Sequence, residues 1–164
     1  MKTKTIAILS LLAALICAGC DEVFFDAMDD IAFRQTSWYT FLGGSGQESV
    51  SSVQQTADGG FIVAGSGYDF PSLQGKTPLN GCAGNRDMLL VKLDASGSVD
   101  WCTFLGGTAP EIAYSVQQTA DGGYIVAGYT WADIPTLQGE SPIIAYTDSY
   151  TQYNNLVVKL DASG

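Results

Sequence analysis

The chain has 164 residues, of which 46% are hydrophobic and 15% are charged, with 17 acidic against 7 basic residues, a formal net charge of −10 and no histidine. This composition favours one folded, glycine-rich domain over a disordered chain. Without His, the chain has no Ser-His-Asp or Cys-His catalytic pair, no His-ligated metal site and no imidazole proton shuttle. We therefore predict a protein that is not an enzyme and that binds no metal and no cofactor.

The N-terminus has the pattern of a secretory leader. Lys2 and Lys4 precede an uncharged and mostly apolar stretch, residues 5–18, which is shorter than the roughly 20 residues of a membrane-spanning helix. We expect residues 1–19 to be removed as a signal peptide. The remaining chain carries 5 basic and 17 acidic residues, and the basic ones are scattered singly, which excludes nucleic acid and electrostatic adhesion to anionic membranes.

The end of the leader, residues 16–20 (Ile-Cys-Ala-Gly-Cys), resembles the lipobox of bacterial lipoproteins. The resemblance implies that signal peptidase II cleaves before Cys20 and that Cys20 carries fatty acyl chains such as palmitate. These would anchor the protein to a bacterial membrane at the cell envelope, on the periplasmic face or at the cell surface. The chain departs from the family at Cys17, where Leu is usual. An ordinary leader cut near Ala18 and an uncleaved anchor are the alternatives, and Asp21 resembles an inner-membrane retention signal of some Gram-negative bacteria.

Residues 20–36 form a linker in which a short amphipathic helix is predicted. Apolar side chains fall on one helical face and acidic ones on the other. The apolar face comprises Val23, Phe24, Ala27, Met28 and Ile31. We expect this helix to cap one end of the folded part, because a helix lying on a membrane usually has Lys and Arg on its polar face.

The rest of the chain consists of two copies of one unit. Residues 52–65 recur at 115–128 with thirteen of fourteen residues identical, Phe61 being replaced by Tyr124. Other segments recur at offsets that grow from 63 to 67, so the second copy has four extra residues, all between 128 and 158. We place repeat 1 at residues 37–100 and repeat 2 at 101–164.

Each repeat is predicted to contain four short antiparallel strands. In the first copy these are residues 50–55, 61–64, 88–93 and 99–105, and the turns between them carry Asp and Gly. Continuous apolar runs such as Leu89-Leu90-Val91 are typical of strands that are covered on both faces. The sequence therefore predicts an all-β fold of stacked sheets.

The unit resembles the β-propeller repeat of bacterial exported and surface proteins. That repeat has a Thr-x-Asp-Gly-Gly-aromatic-Ile-Val-Ala-Gly core, here residues 56–65 and 119–128, and a Lys-Leu-Asp-x-x-Gly-x-x-x-Trp end, here residues 92–101. In the family an Asp stands shortly before the third strand. Asp87 fits this position, whereas the second copy has Asn154. The resemblance implies two propeller-like blades, an incomplete propeller, and no particular activity.

Two repeats are fewer than the four to eight blades of a closed propeller, and three explanations are open. The chain is a fragment of a longer propeller, or identical chains self-associate into a ring in which residues 38–42 complete the last blade of a neighbour. Lectins built from two-bladed subunits are a precedent for the ring. In a third, compact arrangement, residues 38–42 close the second blade of the same chain.

Cys82 and Cys102 are the cysteines outside the leader and the anchor. In an oxidising compartment a disulfide between them is the first interpretation, and free buried thiols are the second. The pair lacks the Cys-x-x-Cys spacing of a redox or metal site.

Six carboxylates recur at equivalent positions in both copies: Asp58, Asp121, Asp94, Asp161, Glu48 and Glu111. Their recurrence favours structural turn chemistry over acid–base catalysis, and the turns lack the alternating oxygen ligands of a calcium loop.

Aromatic and amide side chains follow the core of the second repeat, in the region that we interpret as its long loop. The candidate ligand-binding residues are Tyr129, Trp131, Tyr150, Tyr153 and Asn155. Rings beside amides suit a glycan or a peptide, and the alternative is that these rings pack the loop onto its own sheet.

The sequence thus predicts a lipid-anchored exported protein with a non-catalytic module for binding or scaffolding. An oligomeric glycan-binding lectin is the second hypothesis. The third is a fragment of a larger propeller protein or enzyme, since the run from Leu93 to Trp101 is faintly similar to the docking repeat of quinone-dependent dehydrogenases.

Overall fold

The computed structural model describes residues 37–84, 86–131, 134, 136–137 and 153–164. The predicted signal peptide, Cys20, the linker helix and Tyr150 lie outside the described residues. The chain divides into two units, Met1–Ser37 and Trp38–Gly164, and every described strand belongs to the second. In the described part of the chain, no helix is long and apolar enough to span a membrane.

The described residues form two antiparallel sheets and no helix, which confirms the all-β prediction. Sheet 1 has the order β1-β2-β3-β4 and sheet 2 the order β5-β6-β7. The strands are β1 Ser49–Gln55, β2 Phe61–Gly67, β3 Asp87–Leu93, β4 Val99–Leu105, β5 Glu111–Gln118, β6 Tyr124–Thr130 and β7 Asn154–Leu160. All four strands predicted for the first repeat are therefore present, and the repeat boundary at residues 100 and 101 falls within β4.

The tight turns explain why Asp and Gly recur. Between β1 and β2, the Asp58 carboxylate accepts the backbone N–H of Gly60 at 2.9 Å, and Gly59 has a φ of 84° that only glycine adopts easily. The equivalent turn between β5 and β6 repeats this arrangement with Asp121 and Gly122. These carboxylates are turn-forming groups, as the recurrence predicted.

Each sheet has two faces that we name by their residues. The A face carries Ile62, Ala64 and Leu90 in sheet 1 and the repeat-equivalent Ile125, Ala127 and Val157 in sheet 2. The B face carries Val63, Leu89 and Val91 in sheet 1 and the equivalent Val126, Leu156 and Val158 in sheet 2.

The sheets stack with the A face of sheet 1 on the B face of sheet 2. One apolar cluster joins Ile62 and Leu90 to Val116 and Val126 across this stack. A second cluster covers the B face of sheet 1 with Phe70 and other residues from the β2–β3 loop and the N-terminal segment. Strands β2 and β3 are thus covered on both sides, which accounts for their continuous apolar runs.

The compact arrangement, in which residues 38–42 close the second sheet of the same chain, is wrong. Trp38 packs on sheet 1, with its ring centroid 5.5 Å from that of Phe61. Among the described residues, β7 pairs with β6 only.

Candidate binding site

The residues that come together most clearly are four aromatic side chains at one end of sheet 2. Tyr129 is near the end of β6 and lies directly opposite Asn155 of β7. Trp131 follows β6 immediately, and Tyr153 immediately precedes β7. The sequence predicts a loop for these residues, whereas two of them, Tyr129 and Asn155, belong to the strands.

Tyr114 of β5 completes this ring cluster and is not among the residues predicted from the sequence. It occupies a β-bulge, because the register between β5 and β6 shifts between Ala113 and Ser115. Bulges commonly redirect a side chain. A comparison of the two copies could have found Tyr114, since the first copy has Ser51 at the same position.

The ring cluster (Tyr114, Tyr129, Trp131 and Tyr153) is a continuous series of ring contacts. Tyr129 contacts Tyr114 with centroids 5.4 Å apart and contacts Tyr153 edge-on at 5.0 Å. Trp131 contacts Tyr153 edge-on at 5.4 Å. Such edge-to-face pairs hold one another in place while leaving ring surface free.

A cleft of about 340 Å³ opens beside the ring cluster and is lined by Tyr114, Tyr129, Tyr153 and Asn155. Tyr153 is 67% exposed and Trp131 is 49% exposed. Burial, together with the neighbouring Tyr129, raises the pKa of Tyr114, so its phenol remains protonated at neutral pH. The cleft therefore offers aromatic faces, phenol hydroxyls and one amide.

The equivalent region of sheet 1 is polar. Ser66 stands where sheet 2 has Tyr129, and Arg86 stands where it has Tyr153. The Ser66 hydroxyl lies 3.0 Å from that of Ser49, to which the Arg86 guanidinium donates at 3.0 Å. The rings are thus specific to the second repeat, whose backbone pairing is the same as that of the first.

Cys82 and Cys102 are both free thiols in the structure, so the disulfide that the sequence predicts is absent. The Cys82 thiol donates to the Gly84 carbonyl at 3.3 Å, and Cys102 is directed at the Lys76 carbonyl at 3.9 Å. Burial raises the pKa of Cys82 to about 11 and also raises that of Cys102, which makes both poor nucleophiles.

One of the recurring carboxylates, Glu111, lies in a strand and is buried instead of forming a turn. Glu111 is fully buried, accepts the N–H of Gly107 at 3.0 Å and the hydroxyl of Thr130 at 2.7 Å, and lies close to Asp87. Burial raises the pKa of both carboxyls. Among the residues that the structure describes, no group of three or more His, Cys, Asp or Glu could hold a metal ion.

Searches against protein-family models and against curated proteins find no match to this chain.

Proposed function

We propose that the protein is a lipid-anchored, exported binding module without catalytic activity, built from β-propeller-type repeats. The observation that carries this proposal is the cleft beside the ring cluster, in which rings from β5, β6 and the residues flanking β6 and β7 converge. An exposed aromatic surface of this kind is typical of a recognition site. The repeat pattern and the stacking of an A face on a B face support the propeller assignment.

A glycan is the ligand class that the cleft suits best. A sugar ring presents an apolar C–H face that stacks on Tyr or Trp, and hydroxyls that bond to groups such as the Asn155 amide and the tyrosine phenols. The exposed rings of Trp131 and Tyr153 are the candidate stacking surface.

The test is a glycan array probed with the full chain and with matched variants. We expect Trp131→Ala and Tyr153→Ala to abolish binding to any glycan that the parent chain recognises. Tyr68→Ala is the control, because Tyr68 occupies the position equivalent to Trp131 in the first repeat and has no place in the ring cluster. Binding that survives both cluster substitutions, or a blank array, would refute the carbohydrate ligand.

The anchor is tested separately. Cys20→Ala should move the protein from the membrane fraction to the soluble fraction and remove acyl groups from its mass spectrum. Cys17→Ala should leave both unchanged, since Cys17 lies within the predicted leader. A Cys20→Ala protein that stays in the membrane would refute lipid anchoring through this residue.

A further inference from the structure

Residues 38–44 occupy the same place against sheet 1 as residues 101–107 occupy against sheet 2. The tryptophan contacts repeat: the ring centroid of Trp38 lies 5.5 Å from that of Phe61, and that of Trp101 lies 5.6 Å from that of Tyr124. Trp38 also lies over Gly97, as Trp101 lies over Gly164. The glycine contacts repeat as well, with Gly43 beside Glu48 and Gly44 beside Phe70 in the first copy, and Gly106 beside Glu111 and Gly107 beside Ile134 in the second. Residues 101–105 belong to β4, the fourth strand of its sheet. Residues 38–42 therefore take the position of a fourth strand that belongs to a preceding sheet.

Within the described residues, this segment has no strand partner, and one edge of β7 is unpaired. Residues 38–44 form no ladder with any described strand, and Tyr39 and Phe41 are 87% and 86% exposed. In sheet 1 the third strand pairs with a fourth, whereas β7, the third strand of sheet 2, pairs with β6 alone within the described residues. An unpaired segment and an unpaired edge of matching type are thus both available.

The stacked faces are also unmatched at both ends. On the A face, Val157 of sheet 2 is 63% exposed, whereas its equivalent Leu90 in sheet 1 is fully buried by the neighbouring sheet. On the B face, Val53 of sheet 1 is 56% exposed, whereas its equivalent Val116 in sheet 2 is 1% exposed. Phe70 and its neighbours cover the rest of the B face of sheet 1 within the chain, so its open part is β1, with Val50 and Val53. The equivalent strand of sheet 2, β5, is the one that contacts the A face of sheet 1, so the open A face and the open β1 surface correspond to two surfaces that already meet between the sheets.

A buried polar atom points to the same contact. The Oε1 atom of Glu48 is buried and accepts no hydrogen bond. Within the chain, the equivalent Glu111 lies close to Asp87 of the preceding sheet. The residue of sheet 2 that is equivalent to Asp87 is Asn154, whose amide is a hydrogen-bond donor. A second molecule stacked in the same way would bring an amide donor to the carboxylate oxygen that lacks one.

We propose that a second copy of this chain binds the A face of sheet 2 through the β1 part of the B face of its own sheet 1, and that its residues 38–42 add to β7 as a fourth strand. The contact is head-to-tail, so it repeats from copy to copy and closes into a ring or extends as a chain. The edge provides main-chain hydrogen bonds, and the open faces provide apolar burial.

This inference goes beyond the proposed ligand site and does not rest on it, although the two surfaces meet. In the stack within the chain, the backbone N–H of Glu111 donates to the carbonyl of Arg86 at 2.8 Å. The equivalent bond between copies runs from Glu48 of the second copy to the carbonyl of Tyr153. In the stack within the chain, the residues equivalent to Tyr129 and Asn155 of the cleft, Ser66 and Met88, are fully buried. The second copy therefore lies over the cleft and competes with a ligand bound there.

The known pairing of β3 with β4 fixes the register of the added strand. Leu90 lies opposite Thr103, so Val157 of one copy should lie opposite Thr40 of the next. Directly opposite residues have Cβ atoms about 4.5–5.5 Å apart and diagonal ones about 7–8 Å apart, and a disulfide needs about 3.5–4.5 Å. A cysteine pair at 40 and 157 can therefore cross-link, and a pair at 40 and 159 cannot.

The experiment uses the full chain in membranes, oxidised and separated without reductant. We expect Thr40→Cys/Val157→Cys to give cross-linked species at multiples of the chain mass, and Thr40→Cys/Lys159→Cys to give no more than the parent chain. A mixture of the two single variants Thr40→Cys and Val157→Cys should give a cross-linked dimer, which shows that the bond joins different chains. No cross-link, or equal cross-linking of both double variants, would overturn the proposal.

A second measurement needs no introduced cysteine. Phe41→Ser changes a side chain that is exposed in the single chain, so the variant should keep the circular dichroism spectrum of the folded parent. It should nevertheless convert the assembled protein into monomer when the mass is measured by light scattering in detergent. A parent chain that is monomeric at every concentration would overturn the proposal. A variant that loses assembly but still binds glycan would show that ligand binding does not depend on assembly.

Discussion

Replacement of Asp58 by Asn tests whether an ion pair with an exposed carboxylate stabilises the fold when its lysine is buried. Lys92 Nζ lies 2.8 Å from the Asp58 carboxylate and 3.6 Å from that of Asp100, and the Lys92 side chain is only 5% exposed. The second repeat provides the control, because Lys159 lies 2.9 Å from Asp121 but is 44% exposed. The two pairs share their sequence and their turn and differ in the burial of the cation.

The magnitude follows from what remains after the substitution. Removing one partner of a fully buried ion pair costs about 3–5 kcal/mol. Asp58 is 59% exposed, and Lys92 keeps Asp100 and the carbonyl of Leu93 as partners, so solvent screening reduces the cost. We expect Asp58→Asn to lower the free energy of unfolding by about 1–2 kcal/mol, a fall of roughly 3–8 °C in melting temperature. Asp121→Asn should lower the melting temperature less.

The pH dependence has a defined sign. The hydrogen bond from Lys92, together with those from Thr56 and Gly60, holds the pKa of Asp58 well below its ordinary value of 3.8. The stabilisation is therefore complete above the unfolded pKa and is lost as the pH falls through the folded pKa. The difference in melting temperature between the parent and Asp58→Asn should therefore become smaller as the pH is lowered below about 4.

The assay is thermal unfolding of the full chain in detergent, followed by circular dichroism, for both single variants, Lys92→Met and the double variant. Asn retains an oxygen that can accept the turn hydrogen bonds of Asp58, so the loss reports mainly on Lys92. Asp58→Asn/Lys92→Met should recover most of that loss, because no unpaired buried charge remains. Equal effects of Asp58→Asn and Asp121→Asn, or a double variant no more stable than Asp58→Asn, would refute this reasoning.

Two further substitutions use the same comparison between repeats. Asp87→Asn, which copies Asn154 of the second repeat, should raise the melting temperature at pH 7. Burial beside Glu111 raises the pKa of Asp87, so ionisation of Asp87 opposes folding as the pH rises, and Asn removes that ionisation. A lower melting temperature of the variant at pH 7 would contradict this. Trp101 packs against the core between the sheets, so Trp101→Ala should lower the free energy of unfolding, measured in urea, by up to about 3–5 kcal/mol. Trp38→Ala should lower it less, because Trp38 is 39% exposed. A larger loss for Trp38→Ala than for Trp101→Ala would contradict the packing.

The fold was predictable because its signals are local and occur twice. The Asp-Gly turns fix where the strands reverse, and apolar runs such as that of residues 89–91 indicate strands covered on both faces. The end of β2 was placed too early, at Ala64 rather than Gly67, because Gly65, Ser66 and Gly67 have low β-propensity and are held by pairing with β3. Tertiary pairing of this kind is not visible in local sequence.

The site was only half predictable, for the same reason. Tyr129, Trp131, Tyr153 and Asn155 attracted notice as an aromatic and amide composition, but their meeting depends on the pairing of β6 with β7. Tyr114 is remote from them in sequence and reaches the cluster through a bulge. The disulfide prediction rested on the presence of two cysteines, which does not fix their side-chain directions.

Because the core motifs of the two repeats are nearly identical, equivalent residues differ more in burial than in sequence. Ile62 and Ile125 stand in the same motif, yet one is fully buried and the other is 39% exposed, because a sheet covers only the first. The same open face carries Tyr129 where the first repeat has Ser66. At that position the substitution between the copies coincides with a difference in environment. Comparison of copies, position by position, therefore separates residues that maintain the repeat from residues that change the exposed surface of one copy.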